Sequence, residues 1–391
     1  MNKDIVIIGG GSAGLSLACS LSDTNLKIAI IEQKSISHLA HPIYDGKEIA
    51  LTHFSKKILE QINIWNYFPK NKISHIKEAK VMDGNSPYTL NFDRRKIRKD
   101  ALGYLISNNL IRKALYEEAN TKKNVEIIYD SSISKITTNN HYASIILTNK
   151  KKISASLIVA ADSRFSQIRR NMGISANMQD FGRVAIVCKM KHKKSHNNIA
   201  YECFHYGETL AVLPLIHNTS SIVITVPTKK SIDIMNMNKN KFNYYVSNKF
   251  GNKLGNMELI NKRFLYPLIG VFADNFIGCR LALIGDAAVG MHPVTAHGFN
   301  LGLKGQNTLS LEIKSGLMNG LDIGSPTILK KYEKKHKRAS KPLYLGTNTL
   351  VKLYTNDSLF SKIIRKTMLR IGNNFIPAKR KIINQLTEIT Q

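Results

Sequence analysis

The sequence predicts an α/β protein: a domain built on a parallel sheet, a smaller mixed or antiparallel sheet inserted into it, and a helical C-terminal tail. Three observations point there. The chain opens on a strand–turn–helix–strand unit: Ile5–Ile8, the turn Gly9–Gly14, a helical stripe through Leu17, Ala18 and Leu21, and Lys27–Ile31. Two later apolar runs, Leu157–Ser163 and Arg280–Asp286, read as further strands whose C-terminal ends carry a short polar residue. Ligands collect at such ends in open α/β sheets. Between them, Val184–Lys191, Ala200–His205, Thr209–Leu215 and Ser220–Val226 follow one another too closely for crossover helices, which favours antiparallel pairing.

At 391 residues the chain has room for one large domain and one smaller. Residues 1–75, 97–180 and 263–326 are assigned to the parallel-sheet domain, 76–96 and 181–262 to the inserted sheet, and 327–391 to a basic helical region. The last rests on the helical, lysine-rich pattern after Pro326, through Lys330–Arg338 and on to Ala378–Lys381. Apolar runs fall far short of the ~18 residues that a membrane-spanning helix needs. The N-terminus passes straight into a strand with no signal peptide, so the expected location is the cytoplasm. Cys19, Cys188, Cys203 and Cys279 lie too far apart for a metal or redox pair and are expected as buried thiols. A net charge of +30 raises nucleic acid or an anionic membrane surface as partners. Lysine and asparagine are abundant throughout, as in Met235–Lys241, and no basic stretch interleaves with stacking aromatics, so no nucleic-acid partner is expected.

Chemistry begins in the first turn. Gly9-Gly10-Gly11-Ser12-Ala13-Gly14 fits G-x-G-x-x-G, follows a strand, opens a helix, and has Glu32 at the end of the second strand. Gly9 permits the tight turn, Gly11 lets backbone approach a pyrophosphate, and Gly14 lets helix and strand pack closely. The N–H groups of the helix N-terminus, including those of Ser12 and Ala13, offer donors and a positive dipole end to phosphates. Glu32 suits an adenosine ribose without a 2′-phosphate, so FAD or NAD fits and NADP does not.

The choice between those two rests on the third strand: Gly285-Asp286, then His292-Pro293, then His297-Gly298-Phe299-Asn300. These residues resemble the second flavin motif of class A flavoprotein monooxygenases, the group of p-hydroxybenzoate hydroxylase, and within it the ring hydroxylases of ubiquinone biosynthesis. The run Met291–Asn300 is most similar to a UbiM-like branch of demethoxyubiquinol hydroxylases. The resemblance implies FAD, held in a Rossmann-like domain that carries the inserted sheet as substrate domain. It implies that Gly285 and Asp286 meet the ribityl chain, and that the helix after Pro293 points the N–H groups of Gly298, Phe299 and Asn300 at the flavin pyrimidine edge. A helix N-terminus stabilises the negative charge of a reduced flavin by ~0.3–1 kcal/mol. Lys47 lies where the family often has a flavin-contacting arginine. Leu102–Leu105 with Asn108, Leu110 and Arg112 look like the family's flavin-contacting helix. Tyr201-Glu202, Leu213–Leu215, Tyr266–Leu268 and Leu353–Asp357 look like the ubiquinone branch.

Two further positions depart from the pattern. Asp162-Ser163 replaces the family's Asp-Gly, and His297 stands where relatives have glutamine. Asp162 can still hydrogen-bond and Ser166 can still cap the next helix. No second G-x-G-x-x-G follows, which argues against a separate nicotinamide domain, and the single Trp65 leaves no halogenase motif.

By this resemblance the expected reaction is hydroxylation of the ring of a prenylated ubiquinone precursor by way of a flavin C4a-hydroperoxide, with O2 as oxidant. NAD(P)H or a ferredoxin-type partner supplies the electrons. His53, His205, His292 and His297 are the candidate bases, with His297 favoured for its place beside the flavin motif. Tyr201, Phe204 and Leu213 are expected to line the substrate pocket. The basic tail suits peripheral association with an anionic membrane surface and with other ubiquinone-biosynthesis proteins. A monooxygenase for a soluble phenol, and a non-catalytic FAD-binding scaffold of a membrane-associated assembly, are the alternatives.

Overall fold

The computed structural model describes residues 1–84, 89–205, 207–292, 297–355, 382, 384 and 387–389. Its first sheet has a parallel centre in the order Val125–Ile128, Ile28–Ile31, Asn2–Ile8, Lys152–Ala160, Leu281–Leu283. The hairpin Ile133–Thr138/Ala143–Leu147 pairs antiparallel with the start of Lys152–Ala160, and the short Ile277–Gly278 adds an antiparallel strand at the edge. The central strands are apolar at consecutive positions because helices bury both faces. Ile5 to Ile7, Ile28 to Ile30 and Leu157 to Val159 are fully inaccessible. On one face Ser12–Leu21 packs between Asn108–Asn120 and the 22-residue helix His297–Met318.

The second sheet runs Val289–Gly290, Phe264–Ala273, Ala176–His192, Thr219–Pro227, Glu208–Pro214, Ile199–His205, Glu78–Asp83, Thr89–Asp93, with Met257–Leu259 paired to Ala176–His192. Pairing is antiparallel except where Glu78–Asp83 lies parallel to Ile199–His205, which brings residues 76–96 into this sheet. The sheet is longer than the expected 181–262 insert. Ala176–Asp180 and Ile269–Ala273 pair outside that range and join Val289–Gly290 at the edge of the flavin motif. Helices Thr228–Asn236 and Lys239–Lys249, formed across the Met235–Lys241 run, cover one sheet face through Ile234, Phe242, Val246 and Phe250. The opposite face turns to the first domain, where Ala200, Leu213 and Leu215 pack with Leu102 and Leu105. A three-stranded sheet of Glu48–Leu51, Gly103–Ser107 and Ser74–Ile76 lies at that junction.

The helical pattern after Pro326 forms Pro326–Thr355, which packs on His297–Met318. Tyr332 anchors it, its hydroxyl donating to the Leu283 carbonyl at 2.6 Å. Lys330, Lys331, Lys334, Lys335, Arg338 and Lys341 are exposed. Asn356, Asp357 and Ala378–Lys381 lie outside the described residues. Among the described residues no helix is long and apolar enough to cross a membrane. Three of the four cysteines are buried free thiols, but Cys279 is exposed. It occupies the tight turn between Ile277–Gly278 and Leu281–Leu283, where Arg280 takes a φ of 52°.

Candidate functional site

A cleft opens at the C-terminal ends of the parallel strands. Gly11, Ser12 and Ala13 form one wall and Ala161, Asp162 and Ser163 a second. Gly285 and Asp286 close its floor, and Gly298, Phe299, Gly302 and Leu303 its far end. Three separated motifs of the sequence thus meet at one place.

Sterics explain the glycines of the first turn. Gly9 has φ 109°, and a Cβ there would sit 2.6 Å from the Ala161 carbonyl oxygen. A Cβ on Gly14 would lie 2.1 Å from the Gly9 carbonyl oxygen, so the helix can start this close to the strand only without one. At Gly11 and Gly298 a Cβ would meet nothing, which marks the sides on which a ligand can approach backbone. Gly11 caps Ser12–Leu21 with no side-chain hydrogen bond and no acidic residue in the first turn, leaving the positive helix end open. Glu32 Oε2 accepts from Gly10 N at 2.6 Å and Oε1 from Lys34 N at 2.9 Å, which fixes the carboxylate at the rim of the turn.

Asp162 Oδ2 accepts from Gln167 N at 3.0 Å, while Oδ1 is buried and, among the described residues, has no hydrogen-bond partner. A buried acceptor of this kind beside the cleft calls for a donor. Ser166 caps Gln167–Asn171 by accepting from Arg169 N, so Ser163 leaves this turn intact. Asp286 Oδ2 accepts from Arg164 at 3.0 Å, and Arg164 also donates to the Ile269 carbonyl, tying the floor to the second sheet.

Asn300 is buried rather than cleft-lining. Its Oδ1 accepts from Thr52 N at 3.1 Å and its Nδ2 donates to the Ala50 carbonyl at 2.8 Å, locking the start of the long helix to the three-stranded sheet. Pro293 lies outside the described residues. Lys47 is exposed with Nζ 4.1 Å from the Tyr266 ring centroid. Arg112 is half-buried on Asn108–Asn120, outside the cleft lining.

The candidate bases separate. His297 is buried at the head of its helix and does not line the cleft. His292 is buried edge-on to Phe181, and burial pushes its pKa down to about 4. His53 Nε2 pairs with the Ala101 carbonyl at 2.9 Å and burial lowers its pKa. Burial, then the Lys249 charge, lowers His205.

Period-two alternation divides the expected substrate residues. Phe204 and Leu213 fall on the sheet face toward the first domain. Tyr201 does not: it pairs across to Val212 and packs edge-on to Phe250, 5.0 Å between centroids, in the helix-covered core. Neighbouring strand residues point to opposite faces, so Tyr201 and Phe204 cannot share one pocket. Glu202 shares the face of Phe204, and burial raises its carboxyl to about 8. The sequence drew notice to Tyr201-Glu202 as a pair, but only the register tells which of the two faces the first domain.

A cleft with an open helix end, an unmet buried acceptor and a second carboxylate on its floor fits a long ligand carrying both phosphates and hydroxyls. A family model described as FAD binding domain matches residues 2–344. Ubiquinone hydroxylase UbiM of Neisseria meningitidis is 46% identical, covering 99% of this chain and 85% of that protein. Ubiquinone hydroxylase UbiL of Rhodospirillum rubrum is 29% identical over 96% of this chain and 87% of its own. The crystal structure of p-nitrophenol 4-monooxygenase PnpA from Pseudomonas putida DLL-E4 matches with a TM-score of 0.79 at 14% identity, covering 99% of this chain and 98% of that one, a likeness of fold. FAD is the cofactor, and the chain belongs to the FAD binding domain family, among the FAD-dependent monooxygenases that include the ubiquinone hydroxylases.

Proposed function

We propose that this protein hydroxylates the aromatic ring of a prenylated ubiquinone precursor. The observation that carries the reading is its 46% identity over nearly the whole chain to the meningococcal ubiquinone hydroxylase. A bound flavin would supply the O2 chemistry, with one oxygen atom going to the ring, the other leaving as water, and the two electrons coming from NAD(P)H or a ferredoxin-type donor.

The chain's own groups then have distinct tasks. The turn Gly9–Gly14, with the N–H groups of Ser12 and Ala13, receives the pyrophosphate, and Glu32 takes the adenosine ribose. Asp286 beside Gly285, and Asp162 through its unmet Oδ1, accept from flavin-side hydroxyls. The first turn of His297–Met318 directs the N–H groups of Gly298, Phe299 and Asn300 toward the flavin ring. Pro293 before it, and Lys47 and Arg112 across the junction, complete the assignment carried from the resemblance. Phe204 and Leu213 hold the substrate ring on the sheet face, and that apolar wall excludes water. For hydrogen bonding to the ring oxygen we assign Glu202 the task first expected of His297, because its strand position puts it on the face shared by Ala200, Phe204 and Leu213 that turns to the first domain, where burial raises its carboxyl.

The exposed row Lys330, Lys331, Lys334, Lys335, Arg338 and Lys341 suits an anionic membrane surface, where the lipid-borne substrate resides; each cation contributes ~1 kcal/mol near such a surface. Weakened co-sedimentation with anionic liposomes after substitution of these residues by Gln is the expected result, and unchanged binding removes this role. The test of the function is complementation of strains each lacking one ubiquinone ring hydroxylase, with the accumulated quinones identified by mass. Rescue of one strain is expected; rescue of none overturns the ubiquinone reading, and stimulation of reductant oxidation by small phenols alone would replace it with a soluble-phenol hydroxylase.

A further inference from the structure

The second sheet turns one face to the first domain, and part of that face is left open. Val223 sits on Thr219–Pro227, a strand with neighbours on both sides, and pairs with Val187 and with Ala211. Ser221, two residues earlier, pairs with Leu213, which packs toward Leu102 and Leu105, so Val223 faces the first domain as well. Val223 and Leu213 both keep partial exposure, while Ala185 and Val187 beside them are buried. A gap therefore remains between the two domains over Val223 and Leu213.

The register sets a polar group on each side of this gap. Ala211 pairs on one side with Glu202. On the other side Lys189 pairs with Ser221 and so faces the same way. Lys189 Nζ lies 2.8 Å from Glu48 Oε1 and 4.6 Å from the centroid of the Tyr44 ring, both on the first domain. Its backbone N–H donates to Asn261 Oδ1 at 2.7 Å, which fixes the base of the side chain. The Glu48 side chain is 4% exposed and that of Lys189 26%, so the pair presents its cation rather than its carboxylate. An ammonium has three N–H donors, and one of them meets Glu48. Ile199–His205 is the third strand over from Ala176–His192, about 14 Å away at the usual strand spacing. With both side chains reaching inward, that span holds a six-membered ring with a hydrogen-bonded oxygen at each end.

We propose that Lys189 is a specificity-determining residue of the substrate wall: its ammonium donates to a ring oxygen on the side opposite Glu202, so the site reads a second oxygen on the ring and prefers a hydroquinone to a simple phenol. Glu48 and Tyr44 hold that ammonium in place, one through its carboxylate and the other through its ring face. The inference rests on the reading that this sheet face holds the substrate ring.

The test uses the full-length, FAD-loaded enzyme and two probes, a monoprenyl hydroquinone and the monoprenyl phenol that lacks its second hydroxyl. Binding is read without reductant from the change in flavin absorbance, and turnover as hydroxylated product by mass. Wild-type enzyme is expected to bind the hydroquinone about tenfold more tightly than the phenol. Lys189→Met should lose that preference by weakening the hydroquinone about tenfold and leaving the phenol unchanged. Lys189→Arg should restore most of it, since a guanidinium still donates. Because Lys189→Met leaves Glu48 as a buried carboxyl without its cation, the double variant Lys189→Met/Glu48→Gln is measured beside it and should show the same loss. Equal weakening of both probes in the double variant would reduce Lys189 to a structural contact and overturn the inference, as would a preference that survives its removal. Failure of the underlying reading shows in the wild type itself: an enzyme that neither binds nor hydroxylates either probe overturns that reading and this inference with it.

Discussion

The two ends of the cleft are built in opposite ways. The end assigned to the adenosine half is contiguous: Gly9 to Glu32 supply the turn, the helix N-terminus and the carboxylate, and Glu32 hydrogen-bonds back to Gly10 within that unit. The ring end is assembled from distant pieces, with Ala50 and Thr52, Arg164, Asp286, Asn300 and Glu388 joined by side-chain contacts across the chain. The first is fixed by backbone sterics and tolerates no added atom at two positions. The second is fixed by polar side chains, whose loss costs stability before it costs shape.

That contrast breaks first at Gly14. Gly14→Val places atoms inside contact distance of the Gly9 carbonyl, and the expected outcome is loss of FAD binding by more than about 100-fold, or loss of folded protein. Fluorescence titration and circular dichroism check it; near-normal FAD affinity would remove the steric account. At the ring end, Asn300→Ala deletes two buried hydrogen bonds and leaves Thr52 N and the Ala50 carbonyl unmet, at a cost of about 2–3 kcal/mol in denaturant unfolding. A loss below about 0.5 kcal/mol would mean that the ring end does not depend on this side chain.

Gly11→Ala sharpens the comparison, since its new methyl meets no protein atom. Thermal stability of the apoprotein should stay within about 0.5 kcal/mol while FAD affinity falls about tenfold, the mark of space kept for ligand. A pH dependence is expected at Glu202. Its carboxyl is raised to about 8 by burial, so the stability it contributes is full below its ordinary range near pH 4.5 and is lost as pH rises toward 8. Glu202→Gln does not titrate. Its melting temperature should therefore match wild type near pH 4.5 and exceed it by a few degrees at pH 8.5, and hydroxylation should lose its alkaline limb. Parallel melting curves across that range would sink the assignment.

This division also decides what could be read from sequence. The parallel strands, the Gly9–Gly14 turn and the Gly285–Asn300 motif were legible because their signals are local: consecutive apolar residues, glycines at fixed spacing, a polar residue at a strand end. Tyr201 was misplaced because hydrophobicity cannot tell which face of a strand meets helices and which meets the other domain. Only the register of Tyr201 against Val212 does so. Helices Thr228–Asn236 and Lys239–Lys249 were hidden by an asparagine- and lysine-rich composition that resembles a loop, although Ile234 and Phe242 anchor them. The contact of Glu388 with Thr52 carried no signal at all, because it exists only once residue 388 lies against residue 52.

The strand Ala176–His192 runs from the edge of the flavin motif into the body of the second sheet without an intervening loop. Its first five residues pair with Ile269–Ala273 beside the flavin motif, and Val184–Lys191 pair with Thr219–Val226 in the body of the same second sheet. Between them the register slips, and Gly182, at φ 62°, receives a hydrogen bond geometry set by Asp180 Oδ1, which accepts from its N–H at 2.8 Å. Irregularities of this sort gather the twist of a strand into one place. On the function proposed above, the segment is a torsion bar: the lean of the second sheet relative to the cleft is set in the few peptide units around Gly182, which are not part of the cleft lining, and a change there would retune alignment while leaving that lining chemically intact.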